Sequence, residues 1–193
     1  MSTKITAFEQ RGNNKIHPQK FALWIGLASI VMLFIALTSA YIVRKAQGNW
    51  YEFRMPDLFY YSTAMIVASS VFLHIAYQSF LKGKESLYKS LLVVSFFGGI
   101  GFLILQYLSW KQLNAQEIYM DTNPSASFVF ALTLLHALHI IVGIIALMAA
   151  VIMAFVQPYK VTPLRTLRFE LVLTYWHFVD VLWIYLLIFF LTQ

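Results

Sequence analysis

The run Leu173-Thr174-Tyr175-Trp176-His177-Phe178-Val179-Asp180-Val181-Leu182-Trp183, continued without a break by Ile184-Tyr185-Leu186-Leu187-Ile188-Phe189-Phe190, decides how the rest of the chain is read. It is long and apolar enough to cross a hydrocarbon core of about 30 Å, yet it carries a histidine and a carboxylate near its centre. Ionisable groups at that depth cost about 2.5–3.5 kcal/mol or more each unless they are paired or face protein or a polar cavity. The remaining segments must supply that company.

Composition agrees. Of 193 residues, 60% are hydrophobic and 11% charged, and the mean hydropathy is +0.70. Soluble domains run near 45–50% apolar and about 25% charged, so the chain reads as an integral membrane protein. The net charge of +6 does not point to nucleic acid, because the basic residues sit in short connections between apolar runs. There they orient the spans and meet anionic headgroups. The absence of cysteine excludes disulfides, thiolate metal sites and thiol catalysis. The polar stretch 1–20 lacks the short apolar core of a cleaved secretory signal.

Five apolar segments, at about 21–43, 58–81, 87–110, 125–156 and 170–192, each reach the roughly 20 residues a spanning helix needs. Gly48-Asn49, Pro56, Lys82-Gly83-Lys84, Asn123-Pro124, Pro158 and Pro163 punctuate the connections. The fold class is an all-α bundle of five transmembrane helices: a polar N-terminal segment, 1–20, then one domain, 21–193. The fourth segment spans about 48 Å at 1.5 Å per residue, so it tilts or projects from the lipid, here on the cytoplasmic side. Lys4, Arg11, Lys15, Lys20, Lys82, Lys84, Lys89, Lys160, Arg165 and Arg168 fall on one side, and only Arg44, Lys45, Arg54 and Lys111 on the other. This asymmetry predicts a cytoplasmic N-terminus and a periplasmic C-terminus. Trp24, Trp50 and Trp110 lie near segment ends, where indoles favour headgroups.

In the fourth segment Leu132, His136, His139 and Gly143 share one helical face, and Gly143 lets a neighbour come close. In the fifth, Glu170, Thr174, His177 and Asp180 or Val181 form one stripe and Trp176, Asp180 and Trp183 an adjacent one. Three readings compete: haem or metal ligation by the imidazoles, a proton or solute path, and a polar network that locks the last two helices together. His-x-x-His on one helix suits a single iron poorly, and the Glu-x-x-His pattern of carboxylate-bridged metals is absent, so the network is the economical reading. Blander roles suffice elsewhere: snorkelling for His74 and Gln78, an interhelical donor in Gln106, a first-turn anion in Glu170, and close packing at Gly98-Gly99 and Gly101.

Phe169-Glu170 followed by Tyr175-Trp176-His177-Phe178-Val179-Asp180-Val181-Leu182-Trp183 closely resembles the last helix of subunit III of the haem-copper cytochrome c oxidases. Ser127-Phe128, with His136-Ala137-Leu138-His139-Ile140-Ile141-Val142-Gly143, resembles that family's penultimate helix. Leu27-Ala28-Ser29 with Val31-Met32-Leu33-Phe34 and Ala40-Tyr41, then Ala68-Ser69-Ser70, then Gly101-Phe102 with Gln106, are similar to earlier helices. The resemblance covers nearly all of residues 20–192. The Trp-His-Phe-Val-Asp motif is its specific part.

The resemblance implies an accessory subunit, without a redox cofactor of its own, of a respiratory terminal oxidase in the bacterial inner membrane. Haems and copper would sit in partner subunits, chiefly the catalytic subunit I, where oxygen is reduced to water with proton pumping. This subunit would sustain turnover and proton uptake, bind phospholipid, and join any larger respiratory supercomplex through the same enzyme. His136, His139, Glu170, Trp176, His177, Asp180 and Trp183 are its candidate residues for the polar network and lipid contact; no catalytic or metal residue is assigned. The alternative is a haem-binding membrane anchor of a quinol-oxidising complex. Two departures stand out. Longer family members have two further helices that enclose a lipid cleft, so the chain resembles the short bacterial form. Ile30 stands where the family commonly has a membrane-buried glutamate, so no role of that carboxylate transfers.

Overall fold

The computed structural model describes residues 17–193 except 52, 54 and 122. The segment 1–16, with Lys4, Arg11 and Lys15, and the loop cation Arg54 lie outside the described residues. Five helices follow in order: α1 Pro18–Ala46, α2 Leu58–Leu81, α3 Glu85–Ala115, α4 Pro124–Val156 and α5 Pro163–Thr192. All five are long and apolar enough to cross a membrane, and no strand occurs among the described residues.

Local chemistry sets the ends. Three helices open on proline, whose missing N–H costs nothing in a first turn. Each follows a capping side chain: His17 Nδ1 accepts from the Gln19 amide at 3.3 Å, Asn123 Oδ1 from Ser125 at 2.9 Å, and Thr162 Oγ1 from Arg165 at 3.4 Å. The Thr162-Pro163 start places α5 seven residues ahead of the apolar stretch. Hydropathy marks only the lipid-immersed length, and the opening turns carry Arg165 and Arg168. Glu170 is therefore not a first-turn anion; it lies two turns inside the helix. Excess length is also not peculiar to the fourth helix: α1, α3, α4 and α5 have 29, 31, 33 and 30 residues. Between α2 and α3, Gly83 takes φ +77°, the Lys84 amide donates to Ser79 O and the Gly83 amide to Phe80 O. This is the left-handed helix ending that glycine accepts most readily.

The bundle is organised around α5, which packs on α1, α2 and α4 and meets Gly99 and Phe102 of α3 through Trp176 and Trp183; α3 packs on α2 and α4. Among the described residues the α1 backbone comes close to α4 and α5 and stays farther from α2 and α3. The closest pair is α2 with α3. There Ser69 Oγ donates to Ser95 O at 2.8 Å and Ser95 Oγ to Ser69 O at 2.9 Å. Gly98 lies so near Ser69 that an added Cβ would stand 2.8 Å from the serine Cβ. Small residues thus let the backbones approach, as membrane helices require when hydrocarbon offers no hydrophobic drive. Trp176, Trp183, Phe34, Phe59, Phe102, Leu132 and Ile140 are fully buried at the centre.

Candidate functional site: the polar seam of the last helix

Three α5 side chains form hydrogen bonds with three α2 side chains, rung by rung. Trp183 Nε1 donates to Thr63 Oγ1 at 2.8 Å. Ser70 Oγ lies 2.5 Å from His177 Nδ1. Tyr77 Oη donates to Glu170 Oε1 at 2.8 Å. On α2 the partners stand seven residues apart, two helical turns or about 10.5 Å per rung, and α5 runs antiparallel to meet them. The hydroxyl of Ser70 also interacts with the Asp180 carboxylate, whose Oδ1 is otherwise unpartnered and buried. At the lower end Lys20 of α1 pairs with Glu170 Oε2 at 2.5 Å, so Glu170 ties α1, α2 and α5 together. Thr38 Oγ1 and Tyr185 Oη, 2.9 Å apart, add a second α1–α5 bond.

The histidines of α4 stand outside this ladder. His136 is fully buried, with neither ring nitrogen hydrogen-bonded. It lies among aromatic rings: Trp183 at 5.1 Å, Phe102 at 5.8 Å and Phe34 at 6.5 Å between centroids. His139 Nδ1 bonds the backbone oxygen of Leu135, one turn back, at 2.8 Å. The α4–α5 contact is made by shape and by one bond, Tyr175 Oη to His139 O at 3.0 Å. Trp176 supplies the shape. Its ring is held between two glycines: a Cβ on Gly99 would lie 2.6 Å from Cη2, and one on Gly143 2.9 Å from Cε3 and Cζ3. The glycine of α4 therefore admits an indole rather than a neighbouring backbone.

Apart from the Tyr175 hydroxyl, the polar side chains of α5 that bond to other helices thus bond to α2 and α1, where the sequence reading paired them with α4. Thr63, Ser70 and Tyr77 are the partners that reading missed, and their spacing of seven along one apolar segment is the signal that marks them. His74 faces His177, with ring centroids 5.7 Å apart, at the level of the middle rung. Gln106, read as an interhelical donor, is buried without a hydrogen-bond partner among the described residues. Trp110 is the donor there, giving its Nε1–H to Thr133 Oγ1 at 3.0 Å. Trp50 packs edge-on to Tyr41 at 4.6 Å, and Trp24 is 68% exposed. Among the described residues, no cluster of three or more His, Cys, Asp or Glu is placed to hold a metal.

A family model described as cytochrome c oxidase subunit III matches residues 51–192, which contain all of α2 to α5. The chain belongs to the cytochrome c oxidase subunit III family. It is 29% identical over 192 residues to the probable cytochrome c oxidase subunit 3 of Nocardia farcinica, covering 95% of this chain and 93% of that one. It is 26% identical over 165 residues to the cytochrome bo(3) ubiquinol oxidase subunit 3 of Pseudomonas putida, covering 83% and 79%. The cytochrome c oxidase subunit 3 of Paracentrotus lividus is 30% identical over 65% of this chain but only 46% of its own length. Of these three, the Nocardia farcinica protein matches this chain nearly end to end. Ile30 lies partly buried against the core.

Proposed function

We propose that this chain is the accessory third subunit of a respiratory haem-copper terminal oxidase, with the haems and copper held by the catalytic partner. That complex reduces oxygen to water and couples the reaction to proton pumping. The chain packs on the catalytic subunit and supports its stability and proton uptake. The observation that carries the reading is the family match over the four helices that contain the seam. The seam suits such a role, since it immobilises α5 at three depths and presents a stiff flank. The quinol-oxidising haem anchor is not favoured: His136 is enclosed by aromatic rings and His139 is committed to its own helix.

The named relatives include both a cytochrome c and a ubiquinol oxidase subunit, so the electron donor belongs to another subunit's chemistry. The N-terminus faces the cytoplasm, as the distribution of lysine and arginine favours, and the membrane is a bacterial inner membrane. A phospholipid has a suitable place between α4 and α5. A cavity of about 300 Å³ there is lined by Ala146, Ala150, Met153 and Val172, with Arg165 and Arg168 on its wall.

Purification from native membranes tests the proposal. Co-elution with a haem-copper subunit in fixed ratio, and haem content that follows that subunit, is the expected result. A chain that elutes alone, or that carries a haem spectrum by itself, would overturn it.

A further inference from the structure

His74 of α2 and His177 of α5 lie with ring centroids 5.7 Å apart and planes inclined by 43°, which is neither a stack nor an edge contact. Among the described residues neither nitrogen of His74 is hydrogen-bonded, and the side chain is exposed. His177 spends Nδ1 on Ser70 and keeps Nε2 uncommitted. Ser70 determines what that Nε2 can do. Its hydroxyl also interacts with the carboxylate of Asp180, which is 7% exposed and has Oδ1 otherwise unpartnered. With the hydroxyl proton directed at that carboxylate, Ser70 Oγ accepts from Nδ1–H, and the ring's lone pair lies on Nε2. A carboxylate acting behind the ring is the usual support of a metal-binding histidine, because it fixes the tautomer and raises the basicity of the free nitrogen.

The spacing of the rings agrees. Zinc binds imidazole nitrogen at about 2.0–2.1 Å, so one ion shared at a tetrahedral angle sets two ring centroids roughly 5–6 Å apart. Access comes from the polar end of the seam. His74 stands one helical turn from Gln78, which is also exposed, and Tyr77 beside it bonds Glu170 of the ion pair with Lys20. We propose that His74 and His177 together bind one divalent transition-metal ion of the zinc class between α2 and α5, with Ser70 and Asp180 supporting His177 from behind. Imidazole suits zinc and copper, whereas magnesium and calcium seek oxygen. No third His, Cys, Asp or Glu joins the pair among the described residues, so water fills the remaining positions and the ion exchanges with the medium. The inference uses only this chain's own side chains and does not depend on the oxidase reading.

Histidine modification in native membranes tests the site. The membranes are treated with diethylpyrocarbonate, with and without micromolar Zn2+, and carbethoxylation of each histidine of this chain is read by mass spectrometry. Zn2+ should lower modification of His74 and His177 together by about fivefold or more, as a ligand well above its dissociation constant does. His17, exposed at the start of α1, should be unaffected, and Mg2+ should protect none of the three. A shared ion needs both rings, so His177→Phe should abolish protection of His74, and His74→Phe that of His177. The reciprocal variants keep the test decisive if one of them fails to accumulate. Ser70→Ala leaves both imidazoles in place and should raise the Zn2+ concentration needed for protection by about 10–100-fold. Unchanged modification of His74 in Zn2+, or equal protection of His17, would overturn the site. So would protection of either histidine that survives loss of the other.

Discussion

Ser70 of α2 and His177 of α5 meet Oγ to Nδ1 over 2.5 Å at the middle of the seam. A double-mutant cycle with Ser70→Ala and His177→Phe should give a coupling energy of about 0.6–1.7 kcal/mol in detergent unfolding, the span seen for interhelical hydrogen bonds in membranes. Ser70→Ala alone should cost more than the coupling, because the same hydroxyl serves Asp180. Additive single mutants would mean that the rung carries no energy.

At the next rung, Thr63→Val keeps the volume and removes the acceptor for the Trp183 indole. A buried N–H left unpaired costs about 1–3 kcal/mol. Trp183→Ala should cost more, about 3–5 kcal/mol, since it also empties the space against Phe59, Phe102 and His136. Thermal unfolding of both variants ranks the two effects, and the reverse order would contradict this account of the rung.

Trp176 sits where neither flanking glycine can grow. Gly99→Ala and Gly143→Ala should each destabilise by about 1–3 kcal/mol through overpacking, with Gly99 at the upper end because its clash is the shorter. Trp176→Leu should relieve part of the Gly143→Ala penalty, so the double variant is more stable than the sum of single effects implies. Gly26→Ala, with nothing within 4 Å of the added Cβ, is the neutral control.

The Lys20–Glu170 pair is 40% and 30% exposed on its two side chains. Ion pairs of that kind contribute under about 1 kcal/mol, so Lys20→Met should have a small effect that shrinks further in high salt. Tyr77→Phe should leave the salt dependence in place while removing the other bond to Glu170. Unfolding midpoints at two ionic strengths separate the two contributions.

Five spans and their turns were legible because apolar length and proline-glycine punctuation are local properties. The start of α5 was not, because its first two turns lie outside the apolar stretch and are signalled only by Thr162-Pro163. Helical spacing placed Glu170, His177 and Asp180 near one face, but spacing alone does not say which neighbour that face meets. Sequence adjacency favoured α4; packing gave the position to α2, whose small hydroxyls allow a close seam. Gly143 was legible as a point of near approach, whereas its occupant, the Trp176 ring, depends on how α5 is rotated. His136 looked like a member of a polar network, and only the three-dimensional arrangement shows it enclosed by rings.

The equal steps between Thr63, Ser70 and Tyr77 also constrain how such a chain can change length. Deleting one residue midway along α2 would turn everything beyond it by about 100° and slide it out of step, separating hydroxyls from their partners on one side of the cut. Losses or gains of one heptad would keep the hydroxyls on the same face but shift them a whole rung, about 10.5 Å, from their partners, whereas the connecting loops can vary freely. Natural variation in length should therefore collect in the turns, leaving the distance between the first and last hydroxyl untouched.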